Sequence, residues 1–235
     1  MCASPADARV FLGCRRSATP GSPRMVRVRG VPIPLLCRPG TSDAEVLWDT
    51  FGGAYHRPPR PLPRRANILD LGANVGYTAV DFAVRYPGAR IVAVELDREN
   101  AALAERNLSP FGERCVVLRA AVWSSDGEVA YGGEEAWGLR VVPGAGGGRS
   151  APALRISTLL RRFALERVDY VKMDIEGSEA EVLSDPKWMN RVAMIKIEVH
   201  PPATVESSAE ALRSAGFRVR RDRRHRQCLW ASRKG

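Results

Sequence analysis

From residue 67 onward, short apolar runs alternate with amphipathic segments, a pattern typical of strands that alternate with helices. The apolar runs predict strands at 67–71, 90–95, 115–122, 168–174 and 193–199. The amphipathic segments predict helices at 77–86, 98–108, near 157–165 and at 204–215, with a short helix after Gly177. Because helices separate successive strands, we expect an α/β fold, a mostly parallel sheet with helices on both faces.

The last two predicted strands, near 217–222 and 227–232, have no helix between them. Strands joined by so short a connection pair as an antiparallel hairpin. We therefore predict that this hairpin inserts one antiparallel strand, which gives a sheet of seven strands. A Gly- and Glu-rich stretch at 126–150 interrupts the alternation after the third predicted strand.

The first 66 residues differ from this pattern. Residues 1–24 are rich in Pro, Ser, Arg and Ala and show no periodicity, so we predict a flexible N-terminus. Residues 25–66 predict a hairpin, a helix from Asp43 and a stiff proline-rich linker at 57–65. The predicted organisation is therefore an N-terminal appendage followed by one α/β domain at 67–235.

The formal net charge of +10 is concentrated at the two ends of the chain. Residues 1–66 hold 11 basic and 4 acidic side chains, residues 206–235 hold 9 and 3, and the residues between them hold 16 and 19. The Arg-rich run 218–226 could contact a phosphate backbone. A solvated edge strand that resists edge pairing is the preferred interpretation, so nucleic acid is not the expected partner.

Neither a membrane segment nor a cysteine framework is indicated. No apolar run reaches membrane-spanning length and no signal-peptide pattern is present, so we predict a soluble, cytoplasmic protein without a membrane partner. The five cysteines are scattered and form no C-x-x-C pair, which argues against a disulfide framework and a zinc site.

A glycine loop follows the first predicted strand in the pattern Asp70-x-Gly72-x-Asn74-x-Gly76, and Glu95 ends the next strand. A carboxylate at that place can accept hydrogen bonds from both hydroxyls of a ribose. A dinucleotide loop requires G-x-G-x-x-G, which is absent, and Asp70 would repel a phosphate but suit an ammonium. S-adenosylmethionine (SAM) has an ammonium and a ribose and lacks phosphate, and the pattern resembles the first motif of class I SAM-dependent methyltransferases.

Charged residues recur along the fourth and fifth predicted strands, in Lys172-Met-Asp-Ile-Glu-Gly-Ser-Glu179 and in Ile195-Lys-Ile-Glu-Val-His200. In simple register Lys172 neighbours Lys196, Asp174 neighbours Glu198 and Glu176 neighbours His200. The two lysines are interpreted as structural partners that neutralise the acids. Asp174, Glu176 and His200, at the strand ends where open sheets bind ligands, are the functional candidates.

The two motifs, about a hundred residues apart in this order, resemble the FkbM family of SAM-dependent methyltransferases over roughly residues 42–200. The resemblance implies the class I methyltransferase (Rossmann-like) fold, with a seven-stranded, mostly parallel sheet and one antiparallel strand. It also implies O-methylation of a hydroxyl on a small molecule, such as a natural product or a sugar. A homodimer is left open.

The resemblance implies roles for individual residues. The methionine end of SAM would lie at Asp70, Gly72, Asn74, Gly76 and Tyr77. Glu95 would bind the ribose, with Leu96 on one side of the adenine and Ala121 and Val122 on the other. Asp174 would face the methionine ammonium or the acceptor.

A hydroxyl must lose its proton as it attacks, so a general base is expected. His200 is the first candidate because of its ordinary pKa, Glu176 the second and Asp174 the third. Tyr55, Trp137, Glu176 and His200 are the predicted acceptor contacts. Asp174, Glu198 and His200 could also hold a divalent metal, but their spacing is no metal signature and metal-free transfer is favoured.

Three competing functions are weaker. A nucleic-acid methyltransferase is the runner-up because of the Arg-rich ends, but exocyclic-amine methylation usually requires an Asn/Asp-Pro-Pro-aromatic motif where this chain has Asp174-Ile-Glu-Gly. The glycine spacing opposes an NAD-linked oxidoreductase. A SAM-binding module without catalysis is the third alternative.

Overall fold

The first 53 residues form a small unit of helices and a hairpin. The computed structural model describes residues 1–132, 140, 141 and 149–233. The elements of this unit are α1 (Pro5–Arg16), β1 (Arg24–Arg27), β2 (Pro34–Cys37) and α2 (Asp43–Trp48), which continues into a π-helical turn at Asp49–Gly53. The two strands pair antiparallel, as the predicted hairpin requires.

Helix α1 corrects the prediction of a flexible segment at 1–24. The Asp7 N–H donates to the Ser4 hydroxyl over 3.1 Å and so caps the helix. The Asp7 carboxylate in turn accepts the Arg27 N–H of β1 over 2.9 Å, and Phe11 and Cys14 are buried. Because these contacts are tertiary, the composition of residues 1–24 alone cannot predict the helix.

The next elements follow the predicted order closely. They are β3 (Asn67–Leu71), α3 (Tyr77–Arg85), β4 (Arg90–Glu95), α4 (Arg98–Leu108) and β5 (Cys115–Arg119), with a 3-10 helix at Ser109–Arg114. The predicted strand at 115–122 is interrupted at Ala120. Its last two residues form β6 (Ala121–Val122) in a second sheet, with β7 (Gly127–Gly132), β8 (Arg140–Val141) and β9 (Arg149–Leu154).

The remaining elements complete the central sheet. They are α5 (Ile156–Arg162), β10 (Tyr170–Met173), α6 (Glu179–Leu183), a 3-10 helix at Pro186–Arg191, β11 (Met194–Glu198), α7 (Val205–Ser214), β12 (Arg218–Arg221) and β13 (Cys228–Ser232). The strand order is β12-β13-β11-β10-β3-β4-β5. The pairs from β11 to β5 are parallel, and β13 runs antiparallel to both of its neighbours. The predicted seven-stranded class I fold is confirmed.

The strands send alternate side chains to two apolar clusters, one on each face of the sheet. Leu69 and Leu71 belong to the cluster that contains residues of α5 and α7. Ile68 belongs to the opposite cluster, which contains residues of α3, α4 and the N-terminal unit. Within the described residues, no helix is long and apolar enough to cross a membrane.

Polar contacts attach the N-terminal unit to the sheet domain. The Arg38 guanidinium donates to Asp43 over 2.7 Å and to the Asn100 side chain over 2.6 Å. The Tyr77 hydroxyl donates to the Leu36 carbonyl over 2.7 Å. Because Asn100 and Tyr77 lie on α4 and α3, the unit is fixed above the carboxyl edge of the sheet.

Candidate active site

A cavity of about 690 Å³ opens at the carboxyl ends of the central strands. We divide its lining into a glycine-loop half, made of Gly72, Ala73, Asn74, Glu95, Leu96, Asn100, Ala121 and Val122, and an acidic half, made of Tyr55, Lys172, Asp174, Glu176, Glu198, His200 and His225. The N-terminal unit contributes a third wall that includes Thr41, Ser42, Glu45 and Asp49.

The glycine loop connects β3 to α3 in a conformation that requires glycine at its start. Gly72 has φ +76°, and a Cβ atom built there would lie 1.7 Å from the Asp174 carbonyl oxygen. The loop therefore packs directly against the end of β10. Asn74 also has positive φ (+49°), and its N–H donates to Glu95 Oε2 over 2.7 Å.

Glu95 is held at the end of β4 by two backbone groups. Its second oxygen, Oε1, accepts the Asp97 N–H over 2.9 Å. A carboxylate has about four lone-pair sites, so both oxygens retain acceptor capacity towards hydroxyls. Burial raises the pKa of Glu95 to about 7, against the lowering effect of those two N–H donors. Leu96, Ala121 and Val122 line the same half.

Three of the predicted cofactor contacts lie beneath this half and do not line the cavity. The Asp70 side chain is fully buried and accepts a hydrogen bond from the Thr78 hydroxyl. Gly76 is the N-cap residue of α3 and packs against Ala104 of α4, and the Tyr77 ring is buried beside the N-terminal unit. These residues shape the loop, and their assignment as direct cofactor contacts stays a prediction.

Lys172 lies below the junction of the two halves. Its ammonium donates to the Gly72 carbonyl over 2.7 Å and lies 3.5 Å from both the Asp70 and the Asp174 carboxylates. Burial opposes its charge, but the neighbouring acids outweigh that cost and raise the Lys172 pKa. The lysine thus joins the glycine loop to the strand that carries Asp174.

Lys196 neighbours Lys172 in the predicted register but has different partners. Its ammonium donates to Asp222 over 2.8 Å and to the Tyr55 carbonyl, and lies 4.4 Å from the Trp230 ring centroid. The predicted joint neutralisation of the site acids is therefore corrected: of the two lysines, Lys172 alone pairs with a cavity carboxylate among the described residues.

His200 follows β11 and lies among carboxylates. Its Nδ1 is 3.0 Å from Glu179 Oε1, and its Nε2 lies 3.6 Å from Glu176 and 3.9 Å from Asp174. Burial disfavours the imidazolium, but the Glu179 hydrogen bond and the neighbouring acids raise the His200 pKa to about 9. His200 is therefore protonated at neutral pH.

Glu176 occupies a turn with positive φ (+52°) and is partly exposed to the cavity. Burial and then the Asp174 charge raise its pKa to about 7, against the effect of His200. Burial and Asp174 likewise raise the pKa of Glu198. The acidic half therefore holds a carboxyl that titrates at neutrality beside a charged imidazole.

Several site residues were absent from the predicted set. Glu179 is buried, accepts the Gly177 N–H over 2.9 Å and orients His200; it ends the second motif, so that motif contained the signal. His225 comes from the β12–β13 turn and lies 6.0 Å from the predicted Tyr55, centroid to centroid. No local signal identifies it. The predicted Trp137 lies outside the described residues.

The acidic half also has donors that could hold a divalent cation. Ligand atoms of Asp174, Glu176 and His200 lie within 4.8 Å of one another. The sequence analysis considered Glu198 as the third possible ligand, whereas the structure places Glu176 in that position. Oxygen-rich sets of this kind suit hard cations such as Mg²⁺.

Comparisons with known proteins find methyltransferases among the similar sequences. The methyltransferase sdnD of Sordaria araneosa is 27% identical over 200 residues, which cover 69% of this chain and 77% of that protein. A tRNA1(Val) (adenine(37)-N6)-methyltransferase of Pedobacter heparinus is 42% identical over 59 residues, so the match spans about a quarter of each chain, 24% and 25%. That short match leaves the acceptor open.

Solved structures resemble the chain at low identity. The fibrillarin pre-rRNA processing protein of Methanococcus jannaschii superposes with a TM-score of 0.48 at 12% identity, covering 89% of this chain and 80% of that one. Such a likeness carries no argument about substrate. The sequence profile of the FkbM methyltransferase domain, in contrast, matches residues 70–219, which include the glycine loop and the whole acidic motif. The chain belongs to the FkbM family of SAM-dependent methyltransferases.

Proposed function

We propose that the protein transfers the methyl group of SAM to a hydroxyl oxygen of a small molecule. The observation that carries this proposal is the position of the Glu176 carboxyl, which lines the same cavity as the glycine loop and whose pKa is raised by burial to about 7. A base with a pKa near the working pH is the most effective kind for removing a hydroxyl proton during attack.

The residues of the cavity fit SAM. Glu95 offers acceptor positions for two ribose hydroxyls, and Leu96 with Val122 offers an apolar wall for adenine. Asp174 lines the acidic half as a partly exposed carboxylate suited to the methionine ammonium. When bound, SAM supplies a methyl group on a positively charged sulfur. The residues of this chain align the acceptor and exclude water, as displacement reactions require.

Glu176 is proposed as the general base in place of His200. A protonated imidazole cannot accept a proton, and the His200 pKa of about 9 keeps it charged at neutral pH. The imidazolium instead stabilises the ionised form of Glu176, from which its Nε2 lies 3.6 Å. Glu179 holds the ring through Nδ1 and fixes this orientation.

A small acceptor is favoured over RNA by the sequence after β10, because Asp174-Ile-Glu-Gly replaces the motif usual for base-amine methylation. The match to a tRNA methyltransferase keeps RNA as the alternative. Transfer of labelled methyl from SAM to a panel of hydroxylated compounds, run in parallel with total tRNA, tests the choice. If the label appears in tRNA and in none of the hydroxylated compounds, RNA replaces the small molecule as the proposed acceptor.

The rate of methyl transfer should depend on pH through both groups. We expect kcat/KM for the acceptor to rise as Glu176 ionises near pH 7 and to fall as His200 loses its proton near pH 9. Measuring kcat/KM from about pH 5.5 to about pH 10 would show a bell-shaped profile. A profile that is flat through neutrality would rule out Glu176 as the base.

Chelation should leave the activity intact. Because Glu176 and the charge of the cofactor account for the reaction, dialysis against EDTA is expected to change kcat less than about twofold. The measurement is initial rate before dialysis, after it, and after adding Mg²⁺. Lost activity that Mg²⁺ restores would make Asp174, Glu176 and His200 metal ligands instead.

A further inference from the structure

The turn at 222–227, between β12 and β13, is fixed beside the acidic half of the cavity. The Val199 N–H, just after β11, donates to the Gln227 carbonyl over 3.0 Å. Asp222 accepts hydrogen bonds from Lys196 over 2.8 Å and from the Trp230 indole over 3.1 Å. The turn is therefore anchored at both ends to the strands that carry the site.

The same turn carries three exposed arginines, Arg223, Arg224 and Arg226. In the described part of the chain, none of their guanidinium groups lies within 4 Å of a carboxylate. Asp222 is already engaged by Lys196, and Glu206 pairs with Arg221 on β12. Three cations thus lie within four residues without a counter-charge.

One residue of the turn reaches the cavity. His225 lines the acidic half and contacts the Tyr55 ring. Arg224 and Arg226 are its chain neighbours, so their Cα atoms lie about 3.8 Å from that of His225. The three arginines therefore belong to the same short turn as a residue that lines the acidic half.

We propose that the acceptor carries a phosphoryl group, which binds to the arginines of this turn while its hydroxyl lies at Glu176. The inference rests on the proposed function and adds the chemical class of the acceptor. Guanidinium groups bind phosphate oxygens through paired N–H donors, and a phosphate dianion would relieve the mutual repulsion of three adjacent cations. The imidazole of His225, between two of them, adds a further donor.

Calorimetric titration of inorganic pyrophosphate into the full chain saturated with S-adenosylhomocysteine, at constant ionic strength, tests this site. The triple variant Arg223→Ser, Arg224→Ser and Arg226→Ser is expected to weaken pyrophosphate binding at least about tenfold. The matched control Arg9→Ser, Arg106→Ser and Arg213→Ser removes the same charge from exposed positions elsewhere and should change it less than about twofold.

Each other outcome has a defined meaning. Equal weakening of pyrophosphate binding in the two triple variants would overturn the proposal, because it would show that only diffuse charge attracts the anion. Absence of pyrophosphate binding by the native protein would also overturn it. A single-stranded RNA 20-mer that outcompetes pyrophosphate only when the turn is intact would overturn it in favour of nucleic acid. Failure of the native protein to bind S-adenosylhomocysteine would instead refute the proposed function, independently of the turn.

Discussion

The substitution Gly72→Ala is expected to abolish methyl transfer and to raise the Kd for SAM at least about 100-fold. The added Cβ would lie 1.7 Å from the Asp174 carbonyl oxygen, which is backbone and cannot rotate away. Either the glycine loop or the end of β10 must move. Both carry parts of the site, so the glycine-loop half and Asp174 would lose their alignment.

Gly30→Ala is a matched control for this change. Gly30 has nearly the same backbone conformation, φ +81°, but a Cβ there meets no atom within 4 Å. It should therefore show only the cost of a left-handed alanine, about 1–2 kcal/mol, without loss of SAM affinity. Calorimetry with SAM and urea unfolding measure both effects. Native-like SAM affinity in Gly72→Ala would refute the close contact between loop and strand.

The substitution Glu176→Gln is expected to lower kcat by about 10²–10⁴-fold while leaving the Kd for SAM within about twofold. Glutamine preserves the size and the hydrogen-bonding shape of the side chain but cannot accept the proton of a hydroxyl. The rising limb of the pH profile near pH 7 should disappear with it. Single-turnover rates at saturating SAM separate this effect from binding.

Two further variants make the assignment specific. Glu181→Gln removes a carboxylate on α6 that contacts Ser124 outside the cavity, and it should leave kcat unchanged. His200→Gln removes the imidazolium and should lower kcat less than Glu176→Gln does, with loss of the falling limb near pH 9. If His200→Gln abolished turnover while Glu176→Gln retained it, the base would be His200 after all.

The strands and helices of the sheet domain were predictable because their signals are local. The apolar runs at 67–71 and 90–95 are each followed by residues that favour a turn or a helix cap, and the structure gives β3 and β4 these same bounds. Helix α4 likewise begins after Asp97, whose carboxylate accepts the Glu99 and Asn100 N–H groups. The spacing of apolar residues and the turn or cap residues at each end are enough to predict such elements.

The features that differ from the sequence predictions share another cause, since each depends on a partner in another element. The predicted ligand contact Asp70 is buried against Thr78 and Lys172, and no local pattern reveals that burial. Lys196 takes its counter-charge from Asp222, 26 residues away. The proposed base differs from the first sequence candidate because the raised pKa of His200 depends on Glu179, which lies on another element.

The attachment of the N-terminal unit through Arg38 and Tyr77 limits how this enzyme can be dissected. A fragment that starts at residue 67 would lose the wall formed by Thr41, Glu45 and Asp49, and it would expose the apolar face that Leu35 and Leu47 cover. The smallest fragment expected to keep an intact active site therefore includes the N-terminal unit as well as the alternating strands and helices. Chimeras intended to exchange acceptor preference should carry the leading helix and hairpin together with the sheet they enclose.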